Sequence, residues 1–323
     1  MSAAVRRPGA VARIPRPPSG PPFLGRHVEL DLLLGAQPVP VVHVVGPTGA
    51  GKSALLAELA RRAPGRVGVG AAAAAPGPLR LTWLRTALDA LGADDTARAG
   101  PDAATAHGRP LTLEELERVA AALDRRVPVV LAVDDAGDLD EVSAAELAWL
   151  GRRCPTLCLA LSYRYPSEIT DRPVAALGAG VVLRLPPLTE QELADCGIAD
   201  AAERTGGIPA LVAALHRPPA VAASVAMHVA RVRSRWMPQP AWEILRVTAA
   251  LGSLRVGELA ALTGRTLAEV LACVDQLVHA HLVTEGPGGH VRHRAGLIRE
   301  AVAEQVSTAH GMHLRERLAR HGR

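Results

Sequence analysis

Gly46-Pro47-Thr48-Gly49-Ala50-Gly51-Lys52-Ser53 stands between the β-branched run Val39–Val45 and a helical pattern over Ser53–Arg62. The run reads as a buried parallel strand, and Leu55, Leu56 and Leu59 fall on one face of the following helix. Of the 36 basic residues in the chain, Lys52 is the only lysine. Arginine fills every other basic position, but a planar guanidinium does not replace a compact ammonium that must reach between two phosphates. Gly46, Gly49 and Gly51 let the backbone approach a ligand that side chains would hold off. Successive backbone N–H groups then converge on phosphate oxygens at the positive end of the helix. The string is the complete pattern G-x-x-x-x-G-K-[ST], and its place between strand and helix predicts a nucleoside triphosphate site from Gly46 to Ser53. Lys52 is expected to face solvent and to bridge the β- and γ-phosphates, while the Ser53 hydroxyl ligates magnesium.

A second apolar run, Val127–Val133, ends in Asp134-Asp135. A buried strand that delivers a carboxylate to its tip is the second element of such sites. Asp134 is the candidate for the magnesium shell, and Asp135 for polarising the attacking water. The competing reading of Asp135 is a cap on the loop before Leu139. Arg164 follows the strand Leu157–Leu161, on the sheet edge where ligands collect, and is a candidate sensor of the γ-phosphate. A plain surface arginine is the alternative. Lys52, Asp135 and Arg164 form the expected catalytic set, and Ser53 and Asp134 the metal set.

Composition narrows the class. Hydrophobic residues make up 49% and aromatics 2%, so the core must be built from Leu, Val, Ile and Ala. No apolar run is long enough to span a bilayer or to serve as a secretion signal, and a cytoplasmic setting is expected. Arg6, Arg7, Arg13 and Arg16 of the Pro-rich stretch 1–22 account for the whole formal surplus of +4. That stretch is expected to be a disordered basic tail rather than a nucleic-acid-binding arm. Cys154, Cys158, Cys196 and Cys273 and the late histidines lack ligand spacing, which favours reduced, buried thiols over a metal site.

Alternating strands and helices to Pro186 predict an α/β sheet covered on both faces. Gly92–Pro110 reads as a low-complexity loop. Ser143 with Glu146 reads as a capping box, as does Thr189 with Glu192. Short helices follow Pro186, and Gly206-Gly207-Ile208-Pro209 leads into another. Beyond Pro238 and Pro240, three helices (Ala241–Leu251, Val256–Thr263, Thr266–His281) and a hairpin around Gly286-Pro287-Gly288-Gly289 predict a winged helix. In the third helix Leu267, Val270, Leu271, Val274, Leu277 and Val278 read as one stripe committed to packing. The expected organisation is a tail at 1–22, a P-loop ATPase domain at 23–186, a small helical lid at 187–218 and a linker helix at 219–240. A winged-helix domain at 241–299 and C-terminal helices at 300–323 complete it.

Phe-Leu-Gly-Arg-x-x-Glu-Leu at 23–30, the Lys52 loop, the Asp134-Asp135 strand, Arg164, Gly206-Gly207-Ile208-Pro209 and the winged helix occur in that order. The series resembles the STAND branch of AAA+-related ATPases, and within it the ATPase cores of large LuxR- and MalT-type bacterial regulators with an origin-recognition-like AAA domain. The resemblance covers about residues 23–320. It implies a Mg2+-dependent, slowly hydrolysing switch, closed with ADP and opened by ATP with an inducer for assembly. It also implies that Gly25 and Arg26 help seat the base and that Pro209 packs near the adenine. Such proteins carry sensor and output regions as well, expected here from another chain or lost. They place a phosphate-contacting histidine two residues before Leu-Ile-Arg-Glu; Ala295 stands there in this sequence, with His293 two positions earlier. ATP is the expected partner, with self-association or association with regulator chains. Two alternatives remain open at this stage: a DNA-binding AAA+ initiator-like protein, and a truncated, non-hydrolysing partner of full-length regulators.

Overall fold

The structure, a computed structural model, describes residues 23–35, 40–63, 66–72, 81–124, 129–164, 180–194, 197–198 and 200–321. The expected tail at 1–22 and Cys196 lie outside the described residues. Strands β1 (Val41–Gly46), β2 (Val67–Ala71), β3 (Val129–Asp134), β4 (Leu157–Arg164) and β5 (Val181–Arg184) form one sheet in the order β2-β3-β4-β1-β5. Every pairing in it is parallel. Alternation along the strands explains why both faces are covered. Val41, Val45, Leu131, Val133, Leu159 and Leu161 join one apolar core with Leu84, Leu88, Val119 and Leu147. Val42, Val44, Val130, Ala132 and Ala160 face the other way, onto Leu30, Leu55, Leu56 and Leu59. At 49% hydrophobic and 2% aromatic, the sequence fills these layers with aliphatic side chains.

Helices α1 (His27–Leu34), α2 (Lys52–Arg62) and α3 (Thr82–Ala90) flank the first strands. Gly70 is required where α3 crosses β2, because a Cβ there would sit 1.9 Å from the Trp83 carbonyl oxygen. The expected loop at 92–110 is instead largely helix: α4 spans Asp95–His107. Asp94 caps it by accepting from the Ala97 N–H at 3.0 Å, and Gly108 ends it at φ 61°. Its buried face is Ala97, Gly100, Pro101, Ala104 and Thr105, mostly small residues whose packing value depends on neighbours that the local pattern does not reveal.

Helix α5 (Leu113–Asp124) precedes β3, and a 3-10 turn at Ala136–Asp138 follows it. Helix α6 begins at Glu141, two residues before the expected start, and runs to Arg153. Its cap is Asp140, which accepts from both the N–H and the hydroxyl of Ser143. Glu146 is drawn away from the cap to accept the buried Leu111 N–H at 2.8 Å.

The chain continues through α7 (Glu190–Ala194), α8 (Ala201–Thr205), α9 (Pro209–Leu215) and α10 (Pro219–Ser234). The Thr189–Glu192 box is formed as the spacing predicts. Helices α11 (Gln239–Leu251), α12 (Val256–Thr263) and α13 (Leu267–His279) carry a small antiparallel sheet, which makes the winged-helix-like unit. Its wing strands β7 (Val283–Gly286) and β8 (His290–His293) gain a third neighbour, β6 (Leu254–Arg255), too short to be visible as a strand pattern. The α13 stripe differs from expectation: Val270, Cys273, Val274 and Leu277 are buried, but Leu267 is 53% and Leu271 43% exposed. The buried stripe is centred one flank away from these two leucines. Helices α14 (Gly296–Ala303) and α15 (Thr308–His321) close the described chain. One apolar core runs from Ile208 and Leu211 through Val229 and Leu245 to Val302 and Leu314. Among the described residues no helix is long and apolar enough to cross a membrane.

Candidate nucleotide site

The sheet order puts β4 between β1 and β3, so the glycine loop, Arg164 and the Asp134 tip emerge side by side at one edge. Gly46 pairs with Arg164 across β1 and β4. Within the loop, the Ala50 N–H turns back onto the Pro47 carbonyl at 3.1 Å, and Gly49 and Gly51 take φ 82° and 91°. These left-handed angles explain why glycine stands at both positions. Gly51 is the N-cap of α2 and makes no side-chain cap bond, and the N-terminus of a helix suits an anionic ligand. Ser53 is exposed at this turn.

Lys52 does not face solvent as expected. It is 7% exposed, and its ammonium folds back to donate to the carbonyls of Gly46 at 2.8 Å and Pro47 at 3.4 Å. An ammonium on two carbonyls can exchange them for phosphate oxygens, which make stronger charge-assisted bonds.

Asp134 is oriented by a residue that the sequence reading passed over. The Ser162 hydroxyl, wholly buried on β4, donates to Asp134 Oδ1 at 2.5 Å and accepts the Asp135 N–H at 2.9 Å. A polar residue inside an apolar strand, two places before Arg164, was the available signal. Asp135 adopts φ 51°, a left-handed backbone that aspartate tolerates better than most side chains. It heads the 3-10 turn without a side-chain cap bond, and its carboxylate instead pairs with Arg164 at 3.1 Å. Arg164 also reaches Asp138 at 3.5 Å. The candidate base and the candidate sensor thus hold one another.

Gly25 and Arg26 sit where the chain enters α1, both at positive φ. The buried Arg26 side chain pairs with Glu29 at 3.1 Å and donates to the Pro186 carbonyl. Its backbone N–H donates to Glu192 at 3.1 Å. Burial pushes the Glu192 carboxyl up, but the bonds from Thr189 and Arg26 outweigh it and hold it below its ordinary value. This carboxylate therefore fastens the entry segment to α7. Pro209 begins α9 and lies against the loop: a Cβ on Gly51 would meet its Cβ at 3.5 Å. The neighbouring Ala210 N–H donates to the Gly49 carbonyl at 3.1 Å.

His293, the alternative to the expected phosphate-contacting histidine, bonds the Leu245 carbonyl inside the winged-helix core at 2.9 Å. Burial pushes its pKa down to about 4. Ala295 is fully buried at the start of α14. Neither residue supplies the histidine contact that the resemblance implied. Cys154, Cys158 and Cys273 are buried free thiols, and burial raises Cys154 to about 12 and Cys158 to about 11.

The parallel sheet and the glycine loop at the head of α2 together define a P-loop nucleotide-binding fold. Residues 22–161 match the AAA ATPase domain. A Walker-type ATPase of Pyrococcus abyssi is similar in structure, at 16% identity and a TM-score of 0.58, over 87% of this chain and 96% of that one. A STAND protein with a tetratricopeptide repeat sensor from Pyrococcus horikoshii aligns at 16% identity and a TM-score of 0.39, over 92% of this chain and 45% of that one. The ORC1 protein of Aeropyrum pernix, in complex with DNA, aligns at 18% identity and a TM-score of 0.36, over 88% of this chain and 93% of that one. The first likeness shows the fold alone, and the other two carry no argument at these scores. A search of curated proteins found no match. The chain therefore carries a P-loop ATPase domain of the AAA type, which implies nucleotide binding and, with it, Mg2+.

Proposed function

We propose that this protein is an ATP-binding, slowly hydrolysing regulatory switch, acting in transcriptional or signalling control through conformational change and assembly. Gly46 to Ser53 hold the phosphates, with Lys52 between the β- and γ-groups. Ser53 and Asp134 hold Mg2+, which when bound draws charge from the phosphate oxygens. Asp135 accepts the proton of the attacking water, and Arg164 senses the γ-phosphate. Gly25 and Arg26 border the base, and Pro209 packs near it. The division into an ATPase domain at 23–186, a lid at 187–218, a linker helix at 219–240 and a winged-helix domain at 241–299 belongs to the same proposal, as does a cytoplasmic setting.

The observation that carries this reading is the contact of the lid on the phosphate loop, where Ala210 binds Gly49 at 3.1 Å. A nucleotide seated on that loop touches sheet and lid together, so its phosphate content bears on how they pack. The Asp135–Arg164 pair supports slow turnover, because a carboxylate engaged by the guanidinium at 3.1 Å has to leave that partner before it can meet an attacking water. The test is single-turnover hydrolysis of Mg-ATP by the full chain, together with its mass in solution with ATP and with ADP. Slow hydrolysis with a nucleotide-dependent change in mass is expected. Fast turnover without any change would replace the switch with an ordinary hydrolase.

A further inference from the structure

Arg231, Arg233 and Arg235 on and just after α10 alternate in sequence, so a helix cannot present all three to solvent. Arg231 and Arg235 are exposed, and Arg231 stacks on Trp242 at 4.0 Å. Arg233 turns inward and is 4% exposed. All its hydrogen bonds go to main-chain carbonyls. Nε donates to Thr48 of the phosphate loop at 2.8 Å, and a terminal nitrogen donates to Ala280 at 3.0 Å and His281 at 3.3 Å. No carboxylate accompanies it among the described residues. Burial, with Arg294 nearby, pushes its pKa down to about 9, which leaves it charged at neutral pH. Burying an unpaired guanidinium is costly, and three carbonyl acceptors offset that cost.

The two ends of this bridge are informative. Across a planar trans peptide the C=O and N–H point in opposite directions. A Thr48 carbonyl held by Arg233 therefore aims the Gly49 N–H away from Arg233. The next carbonyl, that of Gly49, accepts from the Ala210 N–H at 3.1 Å. At the far end, Ala280 and His281 form the turn that closes α13, and His281 takes φ 54°. A left-handed histidine is a strained conformer that persists only when its surroundings enforce it.

We propose that Arg233 is a positioning residue for the phosphate loop: it presents the Gly49 N–H to a bound phosphate and ties that peptide to the turn after α13. The proposal rests on the nucleotide reading above. A phosphate that pulls on the Gly49 N–H then changes the load on Ala280 and His281, and the winged-helix-like unit senses the loop through one guanidinium.

The test uses the full chain and Arg233→Lys, whose single ammonium cannot fork between Thr48 and the α13 turn. Mg-ATP affinity, the melting temperature without nucleotide, and hydrogen–deuterium exchange of peptides covering 46–53 and 278–284 are measured. Arg233→Lys is expected to keep a nucleotide-free melting temperature close to wild type and to bind Mg-ATP about tenfold more weakly. In wild type, Mg-ATP should slow exchange in both peptides; in the variant it should slow only the loop. Unchanged affinity in a folded variant overturns the proposal, and so does an equal response of 278–284 in both proteins. Should the variant fail to fold, wild type decides alone: a response at 278–284 upholds the bridge, and indifference there despite ATP binding overturns it. No ATP binding by wild type would instead overturn the nucleotide reading itself, and this proposal with it.

Discussion

Lys52 belongs to the fold and to the proposed site at once, because its ammonium lies on the carbonyls of its own loop. Lys52→Ala is expected to cost a little melting temperature without nucleotide and to abolish the rise caused by Mg-ATP. Wild type should gain about 2.7 kcal/mol at a hundredfold excess over its dissociation constant, by mass action. Equal rises in both proteins would remove Lys52 from the site. The two aspartates separate in the same way. Asp134→Ala should weaken Mg2+-dependent binding, and Ser162→Ala should do so more mildly, since Ser162 orients Asp134 at 2.5 Å without touching ligand. Asp135→Asn should retain binding and lose turnover, because an amide cannot take the proton. Wild-type hydrolysis by Asp135→Asn would leave Asp135 as a partner for Arg164 and nothing more.

Helices α4 and α5 illustrate how an element outside the sheet is held. Glu115 accepts from Arg109 at 2.7 and 2.8 Å and from the Thr112 N–H at 2.8 Å, which fixes the segment leading into α5. The Arg109 bonds, against the opposing effect of burial, lower its pKa from 4.5 to about 2. A carboxylate with a depressed folded-state pKa adds stability above its unfolded value and loses it as pH falls through the folded value. Glu115→Gln is therefore expected to melt below wild type at neutral pH. The gap should close between pH 4.5 and about 2 in thermal melts followed by circular dichroism. A gap independent of pH would assign the effect to packing against Gly100, where a Cβ would meet the Glu115 side chain at 2.7 Å.

At the scale of the whole molecule the question is what the winged-helix-like unit is for. A helix that reads duplex brings hydrogen-bonding side chains to base edges, with basic residues on the flanking phosphates. The exposed residues of α13 are Leu267, Ala268, Glu269, Leu271, Ala272, Asp275 and His279, and the His279 ring is held on the Asp275 carbonyl at 2.7 Å. The Glu269 carboxylate accepts from the Thr266 N–H and hydroxyl at the cap, and Arg265 is paired with Glu243 at 3.2 Å. The basic flanks are also partly committed, Arg233 to the phosphate loop and Arg317 to the Ala261 carbonyl at 2.6 Å. The full chain is expected to show no sequence preference in a random-duplex selection at physiological salt, and any residual binding should fall steeply as salt rises. A reproducible consensus lost on changing Gln276 or Arg265 would favour the initiator-like alternative.

The local pattern was enough for the phosphate loop, the buried strands, the Asp134 tip and the winged helix. Each rests on short-range rules: glycine at left-handed positions, β-branched runs, helical periodicity and turn residues. Tertiary structure decided the rest, because those features depend on partners far along the chain. The strand order that puts Arg164 beside Gly46 is a matter of crossover, not composition. Helix α4 is stabilised by a face of small residues whose worth lies in what they touch. Lys52 turned inward because carbonyls of its own loop lay within reach, and Leu267 and Leu271 turned outward because the packing stripe fell one flank away. Arg233 is the sharpest case. In a chain with one lysine and otherwise arginine among its 36 basic residues, nothing local marks the one that spans 185 positions to Thr48. Only folding brings a buried cation to carbonyls that no segment could satisfy alone.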